Sequence, residues 1–273
     1  MSFASQLASA KKWYPKGASE ADFVQQCERL GRNCYVEALD QLAGIQDVDV
    51  LGIQEAEDPE LQDEIMRRIP GLDTYYRVGV WNGGIKGYVG ALLLWNSEVL
   101  GAQDDAITIN LNTDNTDGRA CGIVRTTKGV TLIVGHFPWL NEEEDKTNVE
   151  RLISRHVKDA NSNIIVVADT NDAKTMIHSG SPLEIGSHKL SQNRTRKELM
   201  KDLKTCCWHK PNHEKNYGHY TDTGDYVLAK NVIDIKIPFT PLPGNDPSVQ
   251  ELFSDHAPVM ATVELDLNLP RAN

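Results

Sequence analysis

The 273-residue chain has no excess of positive charge, no cysteine framework and no long apolar run. Its formal net charge of −11 excludes a surface that binds duplex nucleic acid everywhere. A phosphate-bearing substrate stays open, because site carboxylates add to that charge and a bound cation offsets it. The five cysteines, Cys27, Cys34, Cys121, Cys206 and Cys207, are odd in number and form no C-x-x-C pair. Neither a zinc ribbon nor a disulfide scaffold is therefore expected, and the vicinal Cys206 and Cys207 read as two small half-buried residues rather than a redox pair. No segment reaches the roughly 18 apolar residues of a membrane span. The N-terminus passes from Ser, Ala and Gln straight to Lys11 and Lys12, without the apolar centre of a signal peptide. A soluble, intracellular protein is the expectation. Internal repeats, low-complexity tracts and Pro-, Gly- or Ser-rich linkers are missing too, so residues 1–273 are expected to form a single domain.

What is present is ordinary globular usage, 40% hydrophobic and 25% charged, enough to bury a core that holds a rigid site. Helical spacing of apolar residues predicts one broken or two short helices over 20–46, a helix over 59–69 stopped by Pro70, and an amphipathic helix over 141–160. Strands are predicted at 48–53, 74–80, 88–95, 106–112, 120–127, 130–136, 163–168, 226–228, 232–237 and 259–265. Lys128-Gly129 separates two of these runs as a hairpin turn. Many strands interrupted by few helices imply a two-sheet core with helices outside.

Four apolar runs end in residues suited to metal or proton chemistry: Ile53-Gln54-Glu55, Val134-Gly135-His136, Val167-Ala168-Asp169-Thr170-Asn171 and Phe253-Ser254-Asp255-His256. Strand ends are rigid, so side chains there converge on a ligand with little loss of entropy. A single Asp after a strand is usually a turn or cap residue, and a single His is usually structural. Four such ends together argue for a site.

These residues resemble the endonuclease/exonuclease/phosphatase superfamily, the DNase I-like metal-dependent phosphoester hydrolases. The matching motifs are Gln54-Glu55, Gly135-His136-Phe137-Pro138, Ala168-Asp169-Thr170-Asn171, Gly224-Asp225-Tyr226-Val227-Leu228 and Ser254-Asp255-His256-Ala257-Pro258, in the family's order over about residues 20–266. The run Gly90-Ala91-Leu92-Leu93-Leu94-Trp95 resembles the family's central strand, and Arg119 stands where members carry an arginine ahead of the His motif. The resemblance implies an α+β fold, a four-layer α/β/β/α sandwich of two packed, mostly antiparallel sheets flanked by helices.

It also implies a divalent-metal-dependent hydrolase that cleaves phosphodiesters with an activated water. Glu55 is the first choice as ligand of Mg²⁺, with Mn²⁺ as the alternative ion, and Gln54 would orient its carboxylate. Asp255 would hold the metal or its water, with Ser254 supporting it in the same motif. Asp169 would accept or aim the proton of the attacking water. Asn171, two residues further along an extended strand, would face the same side and donate to a phosphoryl oxygen. His256 would contact the scissile phosphate, with Asp225 fixing its tautomer. His136 would stabilise the phosphate or protonate the leaving oxygen, and Arg119 would support the site.

Members begin with a strand tipped by Asn, whereas no Asn precedes Asn33 here, so the sandwich is expected either with its first strand missing or with a different first strand in which Ser5 or Gln6 serves the site. Ala168 for Gly and Thr170 for an aromatic are mild departures. Substrate classes are nucleic acid first, then an inositol phosphate or other small phosphoester. A catalytically impaired binding module on the same fold is the remaining alternative. For nucleic acid the sequence offers Lys189, Arg194, Arg196 and Lys197 in a loop-to-helix region, with Trp208-His209 and Tyr217–Tyr220 as stacking candidates, although surface solvation is the commoner explanation of such a run. The oligomeric state and the number of metal ions are left open.

Overall fold

A computed structural model of the chain describes residues 43–54, 59–69, 71–79, 90–111, 119–138, 143–157, 163–171, 181–191, 206–209, 219–222, 224–237 and 259–267. The predicted first helices up to residue 42, the N-terminal strand question, and Glu55, Ser254, Asp255 and His256 lie outside the described residues.

A three-stranded antiparallel sheet is made by β1 (Val50–Ile53), β2 (Thr74–Val78) and β3 (Ala91–Trp95), in the order β1-β3-β2. The larger sheet contains β4 (Gln103–Asn110), β5 (Ala120–Thr126), β6 (Val130–His136), β7 (Asn163–Asp169) and, later in the chain, β12 (Asp225–Ala229). Its order is β12-β7-β6-β5-β4, antiparallel throughout except for the parallel pair β6 and β7. Two-stranded ribbons are formed by β8 (Leu183–Ile185) with β9 (His188–Leu190), β10 (Cys206–His209) with β11 (His219–Asp222), and β13 (Val232–Lys236) with β14 (Met260–Val263).

The helices cover the outer faces. Helix α1 (Pro59–Arg68) starts on a proline, whose fixed φ suits a first helical position, and ends on Arg67 and Arg68 near the negative end of its dipole. It lies against the small sheet, where Asp63 pairs with Arg77 of β2. The one-turn helix α2 (Ser97–Leu100) is capped by Asn96, whose Oδ1 accepts from the Glu98 and Val99 N–H groups at 3.0 and 3.3 Å. Helix α3 (Glu143–Ser154) carries three acidic residues in its first turn and buries Val149 and Ile153 against the large sheet.

Among the described residues, alternation along the strands sorts apolar side chains to the two faces of the large sheet. Val78, Leu93, Trp95, Val124, Leu132, Val134, Ile165 and Val167 meet between the sheets. Ile123, Ile133, Phe137, Ile164, Val166 and Tyr226 face the other way, toward α3. A large sheet buried on both faces explains why β6 and β7 read as continuous apolar runs. The sheets approach closely where side chains are missing. A Cβ on Gly52 would lie 2.5 Å from Val167 Cγ2, and one on Gly122 would lie 2.7 Å from Val78 Cγ2. The layers run α1, small sheet, large sheet, α3, the four-layer sandwich expected from the sequence.

The Lys128-Gly129 turn joins β5 to β6, and Gly129 has φ +76, open to glycine without strain. Strand β4 begins earlier than expected, at Gln103, across a register shift between Gln103 and Asp105. Lys189 lies in β9 rather than in a loop, because the Gly186 turn (φ +59) folds Leu183–Leu190 into a short hairpin.

Candidate active site

The site is made by strand ends that the sheet register sets side by side. His136 closes β6 and Asp169 closes β7, and the parallel register makes them Cα partners. Asp225 opens β12, which runs antiparallel to β7, so it is the Cα partner of Asp169 on the other side. Arg119 immediately precedes β5, next to the His136 end of β6. Four neighbouring strands thus bring Arg119, His136, Asp169 and Asp225 to one end of the large sheet.

The alternation that builds the core also sets their direction. Val134, Val167 and Val227 belong to the inter-sheet core, and His136, Asp169 and Asp225 follow or precede them by two positions. Side chains two apart share a face, so all three point into the mouth of the cleft between the sheets. From the opposite sheet, Gln54 follows β1, and its Nε2 donates to the Val167 carbonyl oxygen at 3.2 Å. Gln54, His136 and Asp169 are 3% exposed and Asp225 is 8% exposed. Burial at this level is costly for polar groups unless partners are supplied.

Partners are supplied. The Arg119 Nη1 group bonds His136 Nε2, and Asp169 Oδ2 lies 3.4 Å from the same nitrogen. A guanidinium, an imidazole and a carboxylate therefore form one chain across three strands, with the cation offsetting the buried anion. Asp169 Oδ1 accepts the Asn171 N–H at 2.9 Å. The Phe137 N–H donates to the Asp169 carbonyl at 2.8 Å, which ties the two strand ends together just past the site.

Asn171 departs from the extended geometry expected of it. Its φ is +47, a left-handed turn conformation that Asn tolerates better than most residues, and its Nδ2 donates to the Phe137 carbonyl at 2.7 Å. The Asp169 side chain caps this turn, so the chain leaves β7 at Thr170 instead of continuing straight. Asn171 thus clamps the end of β6 to the end of β7. Thr170 escaped the sequence reading. It is fully buried, and both its N–H (2.8 Å) and its Oγ1 (3.1 Å) donate to the Gly224 carbonyl, fastening β7 to the start of β12. Its place between two site residues was the only available signal.

Among the described residues no group of three or more His, Cys, Asp or Glu could hold a metal ion by itself. Glu55 and Asp255, which the sequence puts forward as ligands, lie outside them, as do Ser254 and His256. Cys121 is a free thiol in the core, and burial pushes its pKa far above the ordinary range, so it takes no part in chemistry. No helix among the described residues is long and apolar enough to cross a membrane.

Comparison with known proteins agrees with this fold. A model described as the Endonuclease/Exonuclease/phosphatase family matches residues 5–256. The fold is similar to a solved protein of that family from Bacteroides thetaiotaomicron, with a TM-score of 0.52, 14% identity, and coverage of 86% of this chain and 91% of that one. It is similar also to one from Leptotrichia buccalis, with a TM-score of 0.50, 14% identity, and coverage of 85% and 94%. No curated protein matches the sequence significantly.

Proposed function

The chain belongs to the endonuclease/exonuclease/phosphatase family, and from that premise we propose that it is a divalent-metal-dependent hydrolase of nucleic-acid phosphodiesters. The observation that carries the reading is the register that makes His136, Asp169 and Asp225 neighbours at the cleft mouth, with Arg119 bonded to His136.

In this reading the substrate phosphate enters the cleft mouth. Asp169, fixed by the Asn171 N–H, orients the attacking water and takes its proton as the new P–O bond forms. His136, with the Arg119 guanidinium bonded to its Nε2, would set positive charge beside the negative charge developing on the phosphoryl oxygens. His256, whose tautomer the family resemblance has Asp225 fix, would contact the phosphoryl group. The ester P–O bond then breaks, and its oxygen leaves with a proton taken from solvent.

Glu55 and Asp255 are the proposed metal ligands. Two carboxylates supply oxygen donors only, which fits a hard cation such as Mg²⁺ or Mn²⁺. Such an ion, when bound, neutralises phosphoryl charge and lowers the pKa of bound water. Gln54 sits immediately before Glu55 and is locked to the Val167 carbonyl, which supports a rigid approach of the chain to that position.

The test is hydrolysis of single-stranded DNA, duplex DNA, RNA and an inositol polyphosphate, with and without Mg²⁺, by wild type, Asp169→Ala and Glu55→Ala. Cleavage of a nucleic acid that vanishes with chelator and in both variants is the expected outcome. Cleavage of the inositol polyphosphate alone would reassign the substrate to small phosphoesters. Inactivity on every substrate, with Mg²⁺ binding absent by calorimetry, would leave a binding module.

A further inference from the structure

We infer that Thr170 is a positioning residue, whose hydroxyl holds the carboxyl group of Asp225 at a fixed distance from that of Asp169. The inference deepens the phosphodiesterase reading above and rests on it for the consequence in turnover. The need for such a device follows from the strand register. Thr170 and Gly224 stand one step beyond the Asp169–Asp225 pair, and the Thr170 N–H donates to the Gly224 carbonyl at 2.8 Å. That bond sets the phase of the β7–β12 ladder. Hydrogen-bonded and non-hydrogen-bonded pairs alternate in an antiparallel ladder, so Asp169 and Asp225 form a non-hydrogen-bonded pair. Such pairs have Cα atoms only about 4.5 Å apart and side chains on one face. Two acidic residues thus stand opposite one another, 3% and 8% exposed. Like charges directly opposite push strands apart. This rung is also the terminal one, since β7 ends at Asp169 and β12 starts at Asp225, and strand ends open most readily.

Thr170 reinforces the rung at that point. Its Oγ1 donates to the same Gly224 carbonyl at 3.1 Å, so one residue supplies a donor to each lone pair of that oxygen. The side chain is fully buried, and water does not compete for the bond. Asn171 does the corresponding task on the other side, through the Phe137 carbonyl. One residue of the turn therefore ties Asp169 to β6, and the residue before it ties Asp169 to β12. The family resemblance places an aromatic residue at position 170. A phenyl ring has no donor for the Gly224 carbonyl, so the second bond belongs to this chain's own threonine. In the proposed reaction Asp169 takes the proton and Asp225 fixes the His256 tautomer. Their spacing then sets where the attacking water stands relative to the phosphoryl group, a geometry on which turnover depends steeply.

The test compares Thr170→Val, Thr170→Ser and Asp225→Asn, together with the combination of Thr170→Val and Asp225→Asn. Valine fills the volume of threonine and leaves the backbone N–H on Gly224. On the nucleic acid that wild type cleaves with Mg²⁺, Thr170→Val is expected to lower kcat about tenfold with KM little changed. Thr170→Ser is expected to recover most of that loss. In the Asp225→Asn background Thr170→Val should cause little further loss, because the hydroxyl acts through that carboxyl. The carboxyl-carbon NMR resonance of Asp225, identified by its absence from Asp225→Asn, is expected to move in Thr170→Val and stay in place in Thr170→Ser. Losses that multiply in the combined variant, an unchanged kcat in Thr170→Val, or an unmoved resonance would each overturn the inference. If circular dichroism shows Thr170→Val to be unfolded, Thr170→Cys, a weak donor of similar size, takes its place. The resonance is read without substrate. A shift in a protein that hydrolyses nothing would sink the proposed activity and leave the positioning of Asp225 by Thr170 supported.

Discussion

The two ends of the sandwich treat polar side chains in opposite ways. Where β6 and β7 finish, His136, Asp169, Thr170 and Asp225 are buried, and their hydrogen bonds join one strand end to the next. Where β1 and β2 begin, Asp73, Ser97 and Lys128 are in contact with solvent and bond loop and helix-terminal backbone, one another and the Thr74 hydroxyl. Lys128 Nζ donates to the Glu98 and Val99 carbonyls, and the Asp73 carboxylate receives the Ser97 N–H at 2.8 Å along with its hydroxyl. Polar groups at the second end stop helices and turn chains, which surface residues do at little energetic cost. Polar groups at the first end are held in a dry, rigid place that folding alone does not require. That contrast marks the first end as the candidate site without reference to any substrate.

The sharpest way to break the contrast is Asp169→Ala. Loss of the proposed general base should lower kcat by about 10²- to 10⁴-fold, with far-ultraviolet circular dichroism unchanged. A variant that keeps full turnover but loses stability would make Asp169 a structural residue like those at the other end.

Next in size is Gly52→Ala, which tests the close approach of the sheets. The added methyl meets Val167 at 2.5 Å, and overpacking of this kind costs about 1–3 kcal/mol in a denaturant titration. Turnover should fall as well, since Gln54 lies two residues on. At the solvent-facing end, Asn96→Ala removes the α2 cap and should cost about 1 kcal/mol while leaving kcat alone.

The smallest effect concerns acid. The hydrogen bond from the Ser97 hydroxyl, then that from its N–H, hold the Asp73 carboxyl below its ordinary value of 3.8. A carboxylate whose folded pKa is depressed contributes stability above its unfolded pKa and loses it as pH falls through the folded value. The acid limb of wild type should therefore steepen below the ordinary pKa, and Asp73→Asn should flatten that component. An unchanged acid limb in the variant would show that this capping contact is not formed in solution.

Much of this architecture was legible because apolar runs and their polar ends are local. β6 and β7 announce themselves as seven-residue apolar strands, and the residues that end them are the ones the register brings together. The adjacency of Asp225 to Asp169 was not legible, because it depends on pairing between strands far apart in the chain. The β8–β9 hairpin and α2 were missed for a different reason. Elements of three or four residues are too short to show a period. Asn171 was misplaced because alternation was carried one step past the strand's end, where the Asp169 side chain bends the backbone into a turn.

The one parallel pairing among the described residues, β6 with β7, has a consequence for how this protein tolerates change in length. Both strands point the same way, so the chain must cross from the far end of one to the near end of the other, and α3 lies on that crossing. Residues added or removed between the end of β6 and the start of β7 leave the alignment of His136 with Asp169 untouched. A single residue deleted inside β7 would instead turn Asp169 toward the α3 face and drive an apolar neighbour into the cleft mouth. Related sequences should therefore vary freely in the length of that crossing and hardly at all in the count from Asn163 to Asp169.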